Sequence, residues 1–198
     1  MQSAENSGWE TLSEEPHYSG AHLSVATYEV RTPSRPGGQR WTIAHRKAAV
    51  IVAPMTADGR LVLIRQERIP IRSTIWEVPA GQIDDTAETD SVAREAVALR
   101  ELREETGYEL APGGELVALG LFFSSAGFTD EHGYLFLARP VQASAAGHAH
   151  EESESILDCR AFTAGELRDM INAGEICDAN TLSICARLVA RGFLSLAD

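Results

Sequence analysis

The rhythm of apolar and polar positions changes several times along the chain. Residues 22–31 (HLSVATYEVR) are rich in β-branched and aromatic side chains and predict a strand. PSRPGG at 33–38 predicts a turn, and QRWTIAHR at 39–46 the return strand of a hairpin. Apolar runs at 48–54 and 61–67 flank Ala57-Asp58-Gly59, whose Asp-Gly step favours positive φ, and predict a second hairpin. A short extended run at 75–78 is closed by Pro79-Ala80-Gly81. Strands this continuously apolar are expected to be covered on both faces.

A polar loop at 84–91 leads into a predicted helix at about 91–106, stopped by Gly107. Residues 116–123, 134–141 and 156–162 predict strands, with an acidic loop at 144–154 between the last two. Thr163, with Glu166 three residues on, predicts a capped helix to about Asn172, and 178–194 a terminal helix. The first 20 residues are polar and predict a flexible arm. The organisation expected is an arm at 1–20, a small β element at 21–47 and one α/β (α+β) domain at 48–198.

Composition narrows the possible functions. With 198 residues, 17 Lys+Arg and 29 Asp+Glu, the net charge is −12, and Lys47 is the only lysine. Such a chain has no general attraction to nucleic acid or anionic lipid. No apolar run is long enough to span a bilayer, and the first residues lack the basic-then-apolar order of a secretory leader. Cys159, Cys177 and Cys185 are an odd number without a paired motif, which suits structural thiols in the cytoplasm. An acidic enzyme acting on an anionic substrate would need a divalent cation to join carboxylate to phosphate.

Residues 81–108 carry the most chemistry: GQIDDTAETDSVAREAVALRELREETGY. On a helix, Glu101, Glu104 and Glu105 fall in one sector roughly 100° wide, opposite Val92, Ala96 and Leu99. By themselves they are read as a solvated acidic face. The surrounding residues change that reading. Arg100, Glu101, Leu102, Glu104, Glu105, Gly107 and Tyr108, with an upstream Gly at a strand end, resemble the Nudix hydrolase signature, G-x5-E-x7-R-E-U-x-E-E-x-G-U with U apolar. Gly81 stands 100 − 81 = 19 residues before Arg100, where the pattern has 14, so the loop is five residues longer. Glu88 or Asp90 is then the candidate for the pattern's first Glu, which braces the Arg in that family.

The resemblance runs from about residue 22 to 190 and narrows to the ADP-ribose pyrophosphatase branch. It is carried by residues 49–68, WEVPAGQID at 76–84, AGFTDE at 126–131, HEESESIL at 150–157 and GEICDANT at 174–181. Ser124-Ser125-Ala126-Gly127 lacks the two prolines usual in that branch. The resemblance implies an α/β/α sandwich around a mixed sheet, preceded by a small β element that helps form a homodimer. It implies Mg²⁺, with Mn²⁺ as substitute, held by Glu101, Glu105 and the carbonyl of Ala80, and Glu104 as ligand or support. It also implies a general base from the acidic loop, Glu152, with Glu154 as ligand or support and Glu151 beside them. Arg65 and Arg68 are candidates for a diphosphate clamp, one of them on the opposite strand face; Trp41 and Phe128 are candidates for stacking on a base.

The activity implied is hydrolysis of a nucleoside diphosphate linked to another moiety, ADP-ribose first. The alternatives are a GDP- or UDP-sugar pyrophosphatase and a non-catalytic ADP-ribose-sensing module. An enzyme that clears oxidised nucleoside triphosphates fits the signature but not the elements on either side. His148 and His150 lack a third ligand at zinc spacing, and Cys159 has no His partner at nucleophile spacing.

Overall fold

The computed structural model describes residues 8–84, 88, 90–149 and 155–196. The chain divides into two compact units, one of Met1–Lys47 with Phe123–Glu131 and one of Ala48–Phe122 with His132–Asp198.

The first unit carries an antiparallel sheet in the order β1 (Glu10–Ser19), β2 (Ser24–Thr32), β3 (Arg35–His45). Two expectations are corrected here. Glu10–Ser19 belongs to no arm: it pairs with β2 from Glu10↔Arg31 to Ser19↔Ser24. All ten of its residues are exposed, so no hydrophobic alternation marks it. Cross-strand polar pairs hold it instead: Glu10 with Arg31, Glu15 with Arg40 at 2.6 Å, and His17 with Thr27 at 2.7 Å. Pro16 is tolerated because β1 is an edge strand with an irregular register there. The second correction concerns 33–38. The turn is confined to Pro33-Ser34, and β3 starts at Arg35, opposite Thr32.

The second unit is built on a mixed sheet in the order β10-β5-β4-β9-β8, with β6 added to β5 and β7 to β4. Its strands are β4 (Ala49–Thr56), β5 (Leu61–Arg68), β6 (Ser73–Glu77), β7 (Ala80–Gln82), β8 (Tyr108–Phe123), β9 (His132–Ala143) and β10 (Ile156–Phe162). β4 lies parallel to β9 and antiparallel to β5 and β7. Side chains alternate across β4 and β5 and feed two cores. Val50, Val52 and Val62 join Ala98 and Leu102 of α1 (Ser91–Thr106). Ile51, Ala53, Leu61 and Leu63 join Leu167 of α2 (Ala164–Ala173) and Ile184 and Leu188 of α3 (Ala179–Ala190). Helices cover both faces, which is why the strands read as continuous apolar runs.

The capping box at Thr163 and Glu166 is present, and it lowers the Glu166 pKa through the Thr163 backbone and hydroxyl bonds. α3 is shorter than its apolar pattern suggested. It ends at Ala190 because Gly192 turns the chain with φ +72°, and Leu194 folds back into the core. Among the described residues no helix is long and apolar enough to cross a membrane.

Candidate active site

α1 begins at Asp90, whose carboxylate accepts from Val92 N–H at 2.9 Å, and ends at Gly107 with φ +70°. Its orientation overturns the expected apolar face. Val92 is 70% and Leu99 38% exposed, whereas Glu101 and Glu105 are 7% and 3% exposed. The helix thus turns two carboxylates toward the sheet, beside Ala98 and Leu102. Burial of this kind is costly unless donors or cations meet the charge.

The meeting point is β7, which pairs with the start of β4 through Ala49↔Gln82, Val50↔Gly81 and Ile51↔Ala80. Ala80 N–H donates to Glu105 Oε2 at 2.9 Å. Gly81 lets Glu101 come close: a Cβ there would overlap the Cγ, Cδ and Oε1 of Glu101. Arg100 donates to Glu101 Oε1 at 2.6 Å and lies 3.9 Å from Glu104. Glu104 is half-buried and also faces Arg103 at 3.8 Å, so Arg103 serves the helix surface. The structure therefore brings Ala80, Gly81, Glu101 and Glu105 together, with Glu104 at the rim.

Neither candidate for the signature's first Glu is drawn to Arg100. Asp90 is the helix cap. Glu88 is paired through its carboxylate with His132 Nε2 on β9 at 3.1 Å, and its carbonyl accepts from Arg94, whose guanidinium stacks over Tyr134 at 4.4 Å. Glu88 is thereby tied to β9 and to Arg94 of α1 rather than to Arg100.

Arg65 and Arg68 lie on opposite faces of β5, as strand alternation requires. Arg65 donates to Thr74 Oγ1 at 3.1 Å. Arg68 grips buried Glu77 bidentately at 2.8 and 2.7 Å. Burial pushes the Glu77 pKa up against the pull of Arg68. Burial also opposes the Arg68 charge, but the bond to Glu77 and the fields of Glu77, Glu105 and Asp178 raise its pKa on balance.

In the first unit, Trp41 and Phe128 are 51% and 56% exposed. Trp41 Nε1–H donates to Gly127 O at 2.8 Å, and Ala44 N–H donates to Phe128 O at 2.8 Å. His45 bridges Asp130 at 2.6 Å and Tyr28 at 2.9 Å, so β3 holds the segment that lacks the two prolines. Glu151, Glu152 and Glu154 lie outside the described residues, as does His150.

Sequence reading did not single out Glu77, Asp178 and Thr181, which surround the 78–80 link. Val78 N–H donates to Thr181 Oγ1 at 2.9 Å, and burial raises the Asp178 pKa. The Asp-x-x-Thr spacing at 178–181 was the available signal. Cys159 donates its thiol to the Thr106 carbonyl at 3.6 Å, one residue past Glu105. Burial pushes Cys159 and Cys185 up to about 11, while Cys177 is exposed. A thiol reagent at about pH 8 should modify one cysteine quickly and the other two only on unfolding, as read by peptide mass mapping.

The donor set suits a hard divalent cation, because the Glu101 and Glu105 carboxylates both reach β7 where Gly81 leaves room. Among the described residues no three His, Cys, Asp or Glu side chains form a closed cage. Mg²⁺ needs none, since it takes one or two carboxylates and completes its shell with water and phosphate.

Signature, helix orientation and sheet together define a Nudix domain, and the family's model matches residues 44–181. The chain belongs to the Nudix family and is a diphosphate hydrolase by class. It is 29% identical over 171 residues to the ADP-ribose pyrophosphatase of Bacillus subtilis, covering 86% of this chain and 87% of that one. It is 29% identical over 187 residues to the ADP-ribose pyrophosphatase of Mycobacterium tuberculosis, covering 93% and 86%. A methanol dehydrogenase activator of Bacillus methanolicus is 29% identical over 174 residues, covering 87% and 88%. A solved ADP compounds hydrolase shares the fold, with a TM-score of 0.72 over 94% of this chain and 97% of that one, at 18% identity.

Proposed function

We propose that the protein hydrolyses the diphosphate of ADP-ribose to AMP and ribose 5-phosphate, as a Mg²⁺-dependent, cytoplasmic homodimer in which Mn²⁺ can replace Mg²⁺. The observation that carries the chemistry is the inverted helix: α1 buries Glu101 and Glu105 against β7 and exposes Val92 and Leu99. Ala98 and Leu102 supply the packing on that face, and a cation between carboxylate and phosphate would give the two buried charges beside them a partner and a use. Two curated relatives bear the name ADP-ribose pyrophosphatase, which supports the substrate.

Glu101, Glu105 and the Ala80 carbonyl would hold the metal, with Glu104 as a further ligand or as support. Bound there, Mg²⁺ supplies charge neutralisation on the diphosphate and a lowered pKa for attacking water. Glu152 takes the proton from water as its oxygen bonds to one phosphorus and the bridging P–O bond breaks, and Glu154 supports it. Ala149, just before that stretch, donates its N–H to the Glu104 carbonyl at 3.0 Å, and Ser155 just after it accepts from Glu67 N–H at 3.0 Å. The first anchor lies on α1 and the second on β5, which supports the reading of the acidic stretch as part of this site. Arg65 and Arg68 are the diphosphate candidates; Arg68, held by Glu77, offers only its outer edge. Trp41 and Phe128, both exposed, are the candidates for stacking on a base.

The test is Mg²⁺-dependent release of AMP from ADP-ribose beside GDP-mannose, UDP-glucose, NADH and 8-oxo-dGTP, with light scattering for the dimer. ADP-ribose should be cleaved preferentially. Preference for a sugar nucleotide would keep the chemistry and replace the substrate. Binding of ADP-ribose without turnover would make the protein a sensor, and a monomeric mass would remove the dimer.

A further inference from the structure

Thr181 lies in the first turn of α3, fully buried, and no step above uses it. Its N–H donates to Asp178 Oδ2 at 2.9 Å, so the helix cap fixes its backbone. Its hydroxyl oxygen receives Val78 N–H at 2.9 Å. From there the 78–80 link is pinned twice more. The Pro79 carbonyl accepts from Val52 N–H at 3.0 Å, and Ala80 N–H donates to Glu105 Oε2 at 2.9 Å.

Proline has no N–H, so the link has two amide donors, Val78 on Thr181 and Ala80 on Glu105. The Pro79 ring also locks φ near −65°, so the orientation of the Val78 peptide passes stiffly to Ala80. A single methyl-bearing hydroxyl in the closing helix therefore sits at one end of a rigid three-residue lever, and the most buried signature carboxylate at the other.

We propose that Thr181 is a positioning residue for Glu105, acting through the 78–80 backbone; this rests on the reading of Glu105 as a metal ligand. Groups that orient a ligand without touching the metal typically change its affinity by about 10–100-fold. A hydroxyl that only satisfied a buried amide would affect stability and leave metal affinity alone.

Mn²⁺ binding by electron paramagnetic resonance, well below each variant's Tm, separates the two roles. Thr181→Val should weaken Mn²⁺ at least about 10-fold, and Thr181→Ser, which keeps the hydroxyl, should bind as wild type. A lower Tm with unchanged Mn²⁺ affinity in Thr181→Val overturns the proposal. Should that variant not fold, Thr181→Cys keeps a similar volume with a weak acceptor. Weakened Mn²⁺ there supports the lever, and native affinity overturns it. Glu105→Gln belongs in the same titration. If it binds Mn²⁺ as wild type, the ligand reading fails and takes the proposal with it; if it loses binding while Thr181→Val keeps it, only the lever fails.

Discussion

Glu105→Gln should lower turnover of ADP-ribose roughly 10³-fold, about 4 kcal/mol of barrier, while the protein stays folded. The amide has nearly the shape of the carboxylate, and its oxygen can still accept from Ala80 N–H at the 2.9 Å seen in the native pair. What disappears is a negative charge 3% exposed at the end of β7. If Glu105 served only to hold α1 to the sheet, the variant would lose at most part of its stability and keep its rate. Rate and Tm measured on the same preparation discriminate, and a native rate would sink the metal-ligand reading.

Gly81→Ala should be nearly as damaging, by steric means. The new Cβ would overlap Glu101 Cγ, Cδ and Oε1, backed by α1 on one side and β4 on the other. Either the carboxylate leaves β7 or the strand moves, and both separate Glu101 from Ala80. Overpacking of this sort costs about 1–3 kcal/mol of stability, and activity should fall about 10²-fold or more. Adding Glu101→Ala removes the crowded Cγ, Cδ and Oε1, so the double variant should regain Tm without regaining rate. Native activity in Gly81→Ala would show that close approach is not needed at that glycine.

Much of this was legible locally. Continuous apolar runs signalled strands buried on both faces, and Asp58-Gly59, Gly107 and the Thr163/Glu166 box marked turns and helix ends by short-range rules. The signature glutamates stood out through the residues around them, Arg100, Leu102, Gly107 and Tyr108, since by themselves they read as a solvated acidic face. β1 was not legible, since its ten residues are all exposed and its pairing rests on polar cross-strand contacts that leave no alternation. The helix face was misjudged for the reverse reason. Hydrophobic patterning assigns Val92, Ala96 and Leu99 to the core, whereas Ala98 and Leu102 pack there instead, and the glycine at 81 and the amide at 80 receive Glu101 and Glu105 beside them.

The chain by itself determined the family and, from β2 onward, most of the element order, because each depends on neighbours within a turn or two. The tertiary structure alone decided which way α1 faces, that Arg68 is held by Glu77, that Glu88 reaches His132 instead of Arg100, and that Thr181 meets Val78 from 103 residues away. Those are pairings between distant segments. A buried donor or charge takes whichever partner the packed strands and helices bring within reach, and that partner is set by topology rather than by sequence spacing.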